Sequence, residues 1–151
     1  CNNGIIVDDY CLTSNMNIFA IGDCTNHTNQ ILGKQLRLES VHNAIEQAKT
    51  VASYISGSPK AYNQVPWFWS DQYDIKLKIA GILENFDSHF IRGSIDEERF
   101  TIFYIKGNKI ICSESINDSK NFLIGRKLIK KNIQIPLNKI SKQDFDLNSL
   151  I

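Results

Sequence analysis

The sequence predicts an α/β segment followed by a separate α+β unit, and three observations carry that expectation. Strand-like runs near the start lead into one long helical period. A stretch rich in Gly, Ser and Pro then breaks the pattern. Beyond it, short apolar runs alternate with polar turns before a second helical period.

At the amino end, the β-rich runs Gly4 to Val7 and Asn17 to Ile21 flank the turn-rich DDYCLTSN, and the second run stops at Gly22-Asp23. They are expected as neighbouring strands of one sheet. From Leu38 to Ser56 the apolar residues Val41, Ile45, Ala48, Ala52 and Ile55 recur at spacings of four, three, four and three. That is the period of an amphipathic helix, stopped by Gly57 and Pro59. From Gly57 to Pro66 the composition is that of a linker, and Pro66 resists continuation of a helix. The domains are therefore expected at residues 1–61 and 62–151. In the second, Ile75 to Ile82, His89 to Ile95, Arg99 to Ile105 and Lys109 to Ser115 read as strands, the last two joined by a Gly-Asn hairpin turn. From Asp118 to Lys131, Phe122, Leu128 and Ile129 mark the apolar face of a helix whose last turn carries Lys130 and Lys131, the charge sign its dipole favours. A small antiparallel sheet with one helix packed on it is expected.

Composition bounds the function. With 151 residues and 42% hydrophobic content the chain can bury a core. No apolar run approaches the roughly 18 residues of a membrane span, and the amino end lacks a charged region followed by an apolar one. A cytoplasmic protein without membrane association is expected. The chain opens on Cys1 with no initiator Met just ahead of GIIVDD, which reads as a fragment. A formal charge of +1 supplies no global field for nucleic acid or a membrane surface. The cysteines at 1, 11, 24 and 112 form no CxxC pair and no zinc-like cluster with His27, His42 or His89, so reduced thiols are expected. Cys24 has no resolving partner nearby in sequence, which favours a buried structural role.

Chemistry is best sought where IFAIGDC brings Gly22 and Asp23 to a strand end. Glycine there lets a ligand approach the backbone, and Asp23 is an acceptor for hydroxyl groups. Taken alone, an Asp after a strand is more often a turn former. Its context is the helix opening RLESVHNA, whose unpaired amides near Ser40, Val41 and His42 form a positively polarised end. Such an end suits an electron-rich carbonyl, and a flavin's pyrimidine edge would fit it; the bland reading is a helix end facing water. Trp67 and Trp69 by composition alone are core anchors more often than cofactor platforms. His42 and His89 read as surface or structural residues. Arg126, Lys127, Lys130 and Lys131 form a basic run whose default reading is a solvated face, with docking of an acidic partner as the sharper alternative, Arg37 and Lys34 being further candidates.

Three segments in order, GIIVDDYCLTSNMNIFAIGDC, RLESVHNAIEQAKTVA and VPWFWSDQYDIKLKIAG, resemble the carboxy-terminal part of the ferredoxin reductase family that includes putidaredoxin, rhodocoxin and rubredoxin reductases and dioxygenase reductase components. FTIFYIKGNKII and NFLIGRKLI extend the resemblance over essentially the whole chain. It implies the end of a dinucleotide-binding FAD domain followed by a reductase C-terminal domain. It further implies that Gly22 and Asp23 lie at the flavin, with Asp23 on the ribityl chain. Glu39, Ser40 and Val41 would lie at the flavin ring, and Trp67 and Trp69 beside the isoalloxazine. The implied activity is hydride transfer from NADH to FAD and electron transfer to a [2Fe-2S] ferredoxin or a rubredoxin. His42 stands where many relatives carry Gln. No GxGxxG occurs in the chain, so the FAD pyrophosphate and NADH would need an amino-terminal region outside it, and the isolated chain is expected to be inactive. The rival readings are a flavin reductase of another acceptor (monodehydroascorbate, a disulfide, or an apoptosis-inducing-factor-like protein) and a non-catalytic interaction or dimerisation module.

Overall fold

The computed structural model describes residues 1–140, 142 and 144–151. The chain forms two compact units, Cys1–Pro66 and Trp67–Ile151.

The first unit contains a three-stranded sheet in the order β1 (Ile5–Val7), β2 (Thr25–Asn29), β3 (Lys34–Arg37). Strands β1 and β2 are parallel, with Val7 opposite His27; β2 and β3 are antiparallel, with His27 opposite Leu36. The link from β1 to β2 is tightened by Asp8, whose carboxylate accepts from the amides of Tyr10 and Leu12 at 2.9 Å each. It ends in a 3-10 turn, Gly22–Cys24. The run from Asn17 to Ile21 is not the strand its β-rich composition suggested. Only an isolated bridge between Leu12 and Phe19 forms there, and Ile18 and Ile21 are exposed. The neighbour of β1 is TNHTN instead. Its inward side chains Thr25, His27 and Asn29 are polar yet buried, so apolar alternation had nothing to register.

Helix α1 (Val41–Ile55) begins at Ser40, whose hydroxyl oxygen accepts from the amide of Asn43 at 3.2 Å. It stops at Ser56, where Gly57 takes φ +78 and its amide bonds back to Tyr54 O, the left-handed close that glycine permits. The buried face of α1 is polar: His42, Asn43, Gln47 and Thr50. The periodic apolar residues lie outward, with Val41 57%, Ile45 48% and Ile55 72% exposed. After α1 the chain returns along this unit. The Tyr62 amide donates to Asp9 O at 2.8 Å, the Tyr62 ring meets His27 edge-on with centroids 4.8 Å apart, and Asn29 Nδ2 donates to Gln64 O at 3.0 Å. These contacts place the division after Pro66 rather than after residue 61.

In the second unit the strands run β4 (Trp67–Gln72), β5 (Ile75–Gly81), β6 (Ser88–Ser94), β7 (Arg99–Lys106) and β8 (Lys109–Ile116), in the sheet order β4-β5-β8-β7-β6. Every neighbouring pair is antiparallel. The predicted hairpin joins β7 and β8, with Gly107 and Asn108 at φ 55 and 61, the positive pair that a two-residue turn of matching twist needs. Helix α2 (Ser119–Lys130) starts at Asp118, whose side chain accepts from the Asn121 amide at 3.1 Å. It lays Phe122, Ile124, Leu128 and Ile129 on the sheet above Phe103. Gly125 makes this approach possible: a Cβ there would lie 2.5 Å from Ser113 Oγ and 3.1 Å from the Phe103 ring. A short α3 (Leu137–Ile140) and a 3-10 turn at Leu147–Leu150 complete the unit. An α/β segment followed by an α+β unit is the observed order.

Candidate functional site

In the first unit, the Gly22–Cys24 turn and the start of α1 are built as one piece. The amide of Gly22 donates to Gln47 Oε1 at 2.7 Å across 25 residues of sequence. Thr25 Oγ1 lies 2.8 Å from Gly22 O and 3.0 Å from the same Gln47 oxygen. A Cβ at Gly22 would sit 3.6 Å from Ala44 Cβ, so turn and helix approach to ordinary contact. Gln47 is fully buried, and its Nε2 faces His27 Nδ1 at 3.4 Å. Burial lowers the His27 pKa below the usual imidazole range, with Asp9 pulling weakly the other way, so His27 stays neutral.

The segment entering α1 is held at three points. Asn43 Nδ2 donates to Leu38 O at 3.1 Å, Ser40 caps the helix, and the Arg37 guanidinium pairs with Glu39. Arg37 also reaches Asp23 O at 3.4 Å and Asn3 Oδ1 at 3.2 Å. It thus braces the Gly22–Cys24 turn, which leads into β2 rather than ending a strand, against the Glu39 segment. Asp23 is exposed, and its carboxylate accepts no hydrogen bond from the described residues. The Val41 amide, in the first turn of α1, likewise meets no acceptor among them. Gly22, Asp23, Glu39, Ser40 and Val41 are therefore gathered at one end of this unit. Composition and period did not single out Gln47 or Thr25. The only trace of Gln47 is a polar residue at a helix position that turns out to be buried.

Other expectations fare unevenly. Cys24 is exposed rather than buried, with its Sγ 3.5 Å from Ile21 O, because the 3-10 turn rotates it outward past Gly22. The buried thiols are Cys11 and Cys112, each pushed up to about 12, first by burial and then by Asp8 and Glu114 respectively. All four cysteines are free. His42 is buried and His89 exposed. In the second unit, Trp67 and Trp69 lie on β4 opposite Ala80 and Lys78, their rings 5.1 Å apart. Trp67 is half-buried and packs on Phe122 at 5.5 Å under the Arg126 guanidinium at 5.9 Å, while Trp69 is 44% exposed. Lys131 donates to Ile151 O at 2.6 Å, and Lys127 and Lys130 are exposed. Among the described residues no cluster of His, Cys, Asp and Glu can hold a metal, and no helix is long and apolar enough to cross a membrane.

Comparison with known proteins matches residues 67–151 to the family model "Reductase C-terminal" and residues 1–48 to "Pyridine nucleotide-disulphide oxidoreductase". Rhodocoxin reductase of Rhodococcus erythropolis is 40% identical over 99% of this chain and 35% of its own length. Rubredoxin-NAD(+) reductase of Pseudomonas putida is 36% identical over 77% of this chain and 30% of its own. The solved covalent putidaredoxin reductase-putidaredoxin complex superposes with a TM-score of 0.90 at 32% identity, covering 99% of this chain and 36% of that one. The chain thus spans about a third of the length of such relatives. It belongs to the reductase C-terminal family.

Proposed function

We propose that this chain is the carboxy-terminal third of a cytoplasmic NAD(P)H-dependent FAD reductase that passes electrons to a [2Fe-2S] ferredoxin or a rubredoxin. The first unit, Cys1–Pro66, would complete the FAD-binding domain, and the second, Trp67–Ile151, would form the reductase C-terminal domain. The observation that carries the reading is the joined pair of Asp23, exposed, and the α1 start, the Asp23 carboxylate and the Val41 amide each meeting no partner among the described residues.

These residues fit FAD. Asp23 offers two acceptor oxygens to the ribityl hydroxyls. The amides at Ser40 and Val41 present the positive end of a 15-residue helix to the carbonyl edge of the isoalloxazine, where pre-organised donors favour added negative charge. Gly22 keeps that approach clear of a side chain, and Glu39 is pinned by Arg37 rather than left to repel the ring. Bound FAD would supply the two-electron to one-electron conversion that links NADH to a one-electron acceptor. Trp67 and Trp69 belong beside the isoalloxazine on the family resemblance.

An amino-terminal region supplying the phosphate cradles is part of the proposal. The outward apolar stripe of α1 and the open edge of the three-residue parallel strand β1 support it, since parallel strands and apolar helix faces are normally covered. Asp23→Ala in the full-length protein is expected to weaken FAD retention about ten- to a hundredfold, the loss of a charged hydrogen bond. Titration of the apoprotein with FAD checks it, and unchanged affinity removes Asp23 from the site. Trp69→Ala is expected to slow reduction of the acceptor protein more than reduction of FAD by NADH. Stopped-flow measurement of the two half-reactions decides between a flavin-side role and plain packing.

A further inference from the structure

We propose that Gln47 is a positioning residue for the flavin site, holding the Gly22-Asp23 turn and the amide end of α1 at one fixed spacing; this rests on the flavin reading above. Gln47 does not reach the ligand itself. It is fully buried on the polar face of α1, with one oxygen serving the Gly22 amide at 2.7 Å and the Thr25 hydroxyl at 3.0 Å.

The orientation of its amide is settled by those partners. An amide oxygen must face the Gly22 N–H, so Nε2 is the group that faces His27 Nδ1 at 3.4 Å. His27 is therefore the acceptor, neutral and protonated at Nε2. Asn43 Nδ2, one turn earlier, stands 3.5 Å from the same oxygen and donates to Leu38 O at 3.1 Å. The chain of contacts runs from the Gly22–Cys24 turn, through Gln47, to the segment carrying Glu39 and Ser40. The bond from Gln47 fixes the Gly22 turn on α1, and removing it leaves the Gly22 amide a buried donor with the full cost of its desolvation. A small displacement of the turn against α1 would misplace two ligand-facing groups at once.

The experiment uses the full-length FAD-loaded protein. Gln47→Met keeps the volume and removes both polar atoms. Gln47→Glu restores the acceptor and, protonated, the donor to His27. We expect Gln47→Met to raise the FAD dissociation constant about tenfold, the loss of one buried hydrogen bond. It should also weaken the preference for reduced over oxidised flavin about tenfold, which is about 30 mV more negative in midpoint potential for a two-electron couple. Gln47→Glu should recover most of both.

A Gln47→Met protein that loses thermal stability while its potential stays unchanged would overturn the proposal, because Gln47 would then be core packing only. Failure of Gln47→Glu to recover either quantity would overturn it as well. If Gln47→Met does not fold, Thr25→Val removes the one hydroxyl donor that lies between Gly22 O and the Gln47 oxygen, and the potential must move in the same direction. Asp23→Ala, measured alongside, separates the two ideas. If Asp23→Ala weakens FAD binding and the Gln47 and Thr25 variants do not shift the potential, positioning fails and the flavin site stands; if Asp23→Ala also leaves FAD untouched, the flavin reading itself has failed.

Discussion

Helices α1 and α2 carry apolar periods of similar clarity, yet they seat them in opposite senses. Helix α2 turns Phe122, Ile124, Leu128 and Ile129 onto a five-stranded sheet and leaves Lys120, Lys127 and Lys130 in solvent. Helix α1 turns His42, Asn43, Gln47 and Thr50 onto a three-stranded sheet and leaves Val41, Ile45 and Ile55 outside. The second unit is thus held chiefly by apolar burial. In the first, the seam between helix and sheet is a hydrogen-bonded network of Gln47, Thr25, His27 and Asn43. The difference teaches that a 3.6-residue period reveals an apolar face without saying which neighbour covers it.

This contrast predicts unequal responses to the same truncation. Leu128→Ala, at a residue 1% exposed, is expected to cost the second unit about 2–5 kcal/mol. Tryptophan fluorescence during chemical denaturation reports it selectively, because both tryptophans, Trp67 and Trp69, lie in that unit. A cost below about 1 kcal/mol would mean that α2 is not the main cover of the sheet.

A smaller loss is expected for Asp118→Ala. Asp118 accepts from the Asn121 amide, from Asn121 Nδ2 at 2.7 Å and from Thr101 Oγ1 at 3.1 Å, and its loss uncaps α2 beside a buried hydroxyl. About 1–2 kcal/mol is expected, with Asp118→Asn recovering part of it. The same fluorescence measurement checks this.

The polar seam makes the first unit the acid-sensitive one. His27 is held neutral, with its pKa lowered in the folded state chiefly by burial. The unfolded chain therefore binds more protons as pH falls below the ordinary imidazole value of about 6.5. The stabilising contribution is fully present above that value and is lost as pH falls from it through the lowered folded value. Protection factors of the α1 amides, each referred to the intrinsic exchange rate at that pH, should fall over that window, while those of β7 and β8 hold. An equal fall in both units would remove His27 as the cause. The smallest effect is expected at Ile45, where truncation to Ala in this chain should change stability by no more than about 0.5 kcal/mol, since the side chain is already 48% exposed. A loss comparable to that of Leu128→Ala would show the α1 stripe to be covered.

Local signals were legible where local physics decides them. The Gly107-Asn108 hairpin, the stop of α1 at Gly57 and the Asp118 start of α2 each rest on one or two residues whose backbone preferences act alone. Strands β2 and β3 were not legible, because TNHTN and KQLR carry neither an apolar run nor strict alternation. Strand β4 is likewise absent from the expected strands, its Trp67 and Trp69 standing out only as aromatics. Of the candidate site, the Gly22-Asp23 turn and the Ser40 helix start stood out as motifs, and the parts that join them did not.

The sequence by itself determined the order of the two units, the extent of both helices, the antiparallel hairpin and the family to which the motifs point. Tertiary structure alone decided that α1 buries its polar side, that Cys24 faces outward and that Arg37 braces Asp23 and Glu39. It also decided that Gln47 closes on Gly22 across 25 residues. The physical reason is the range of the forces involved. Turn and helix preferences act within a few residues of chain. The bond from Gly22 to Gln47 depends on the path of the whole first unit, which no period or pairwise spacing encodes.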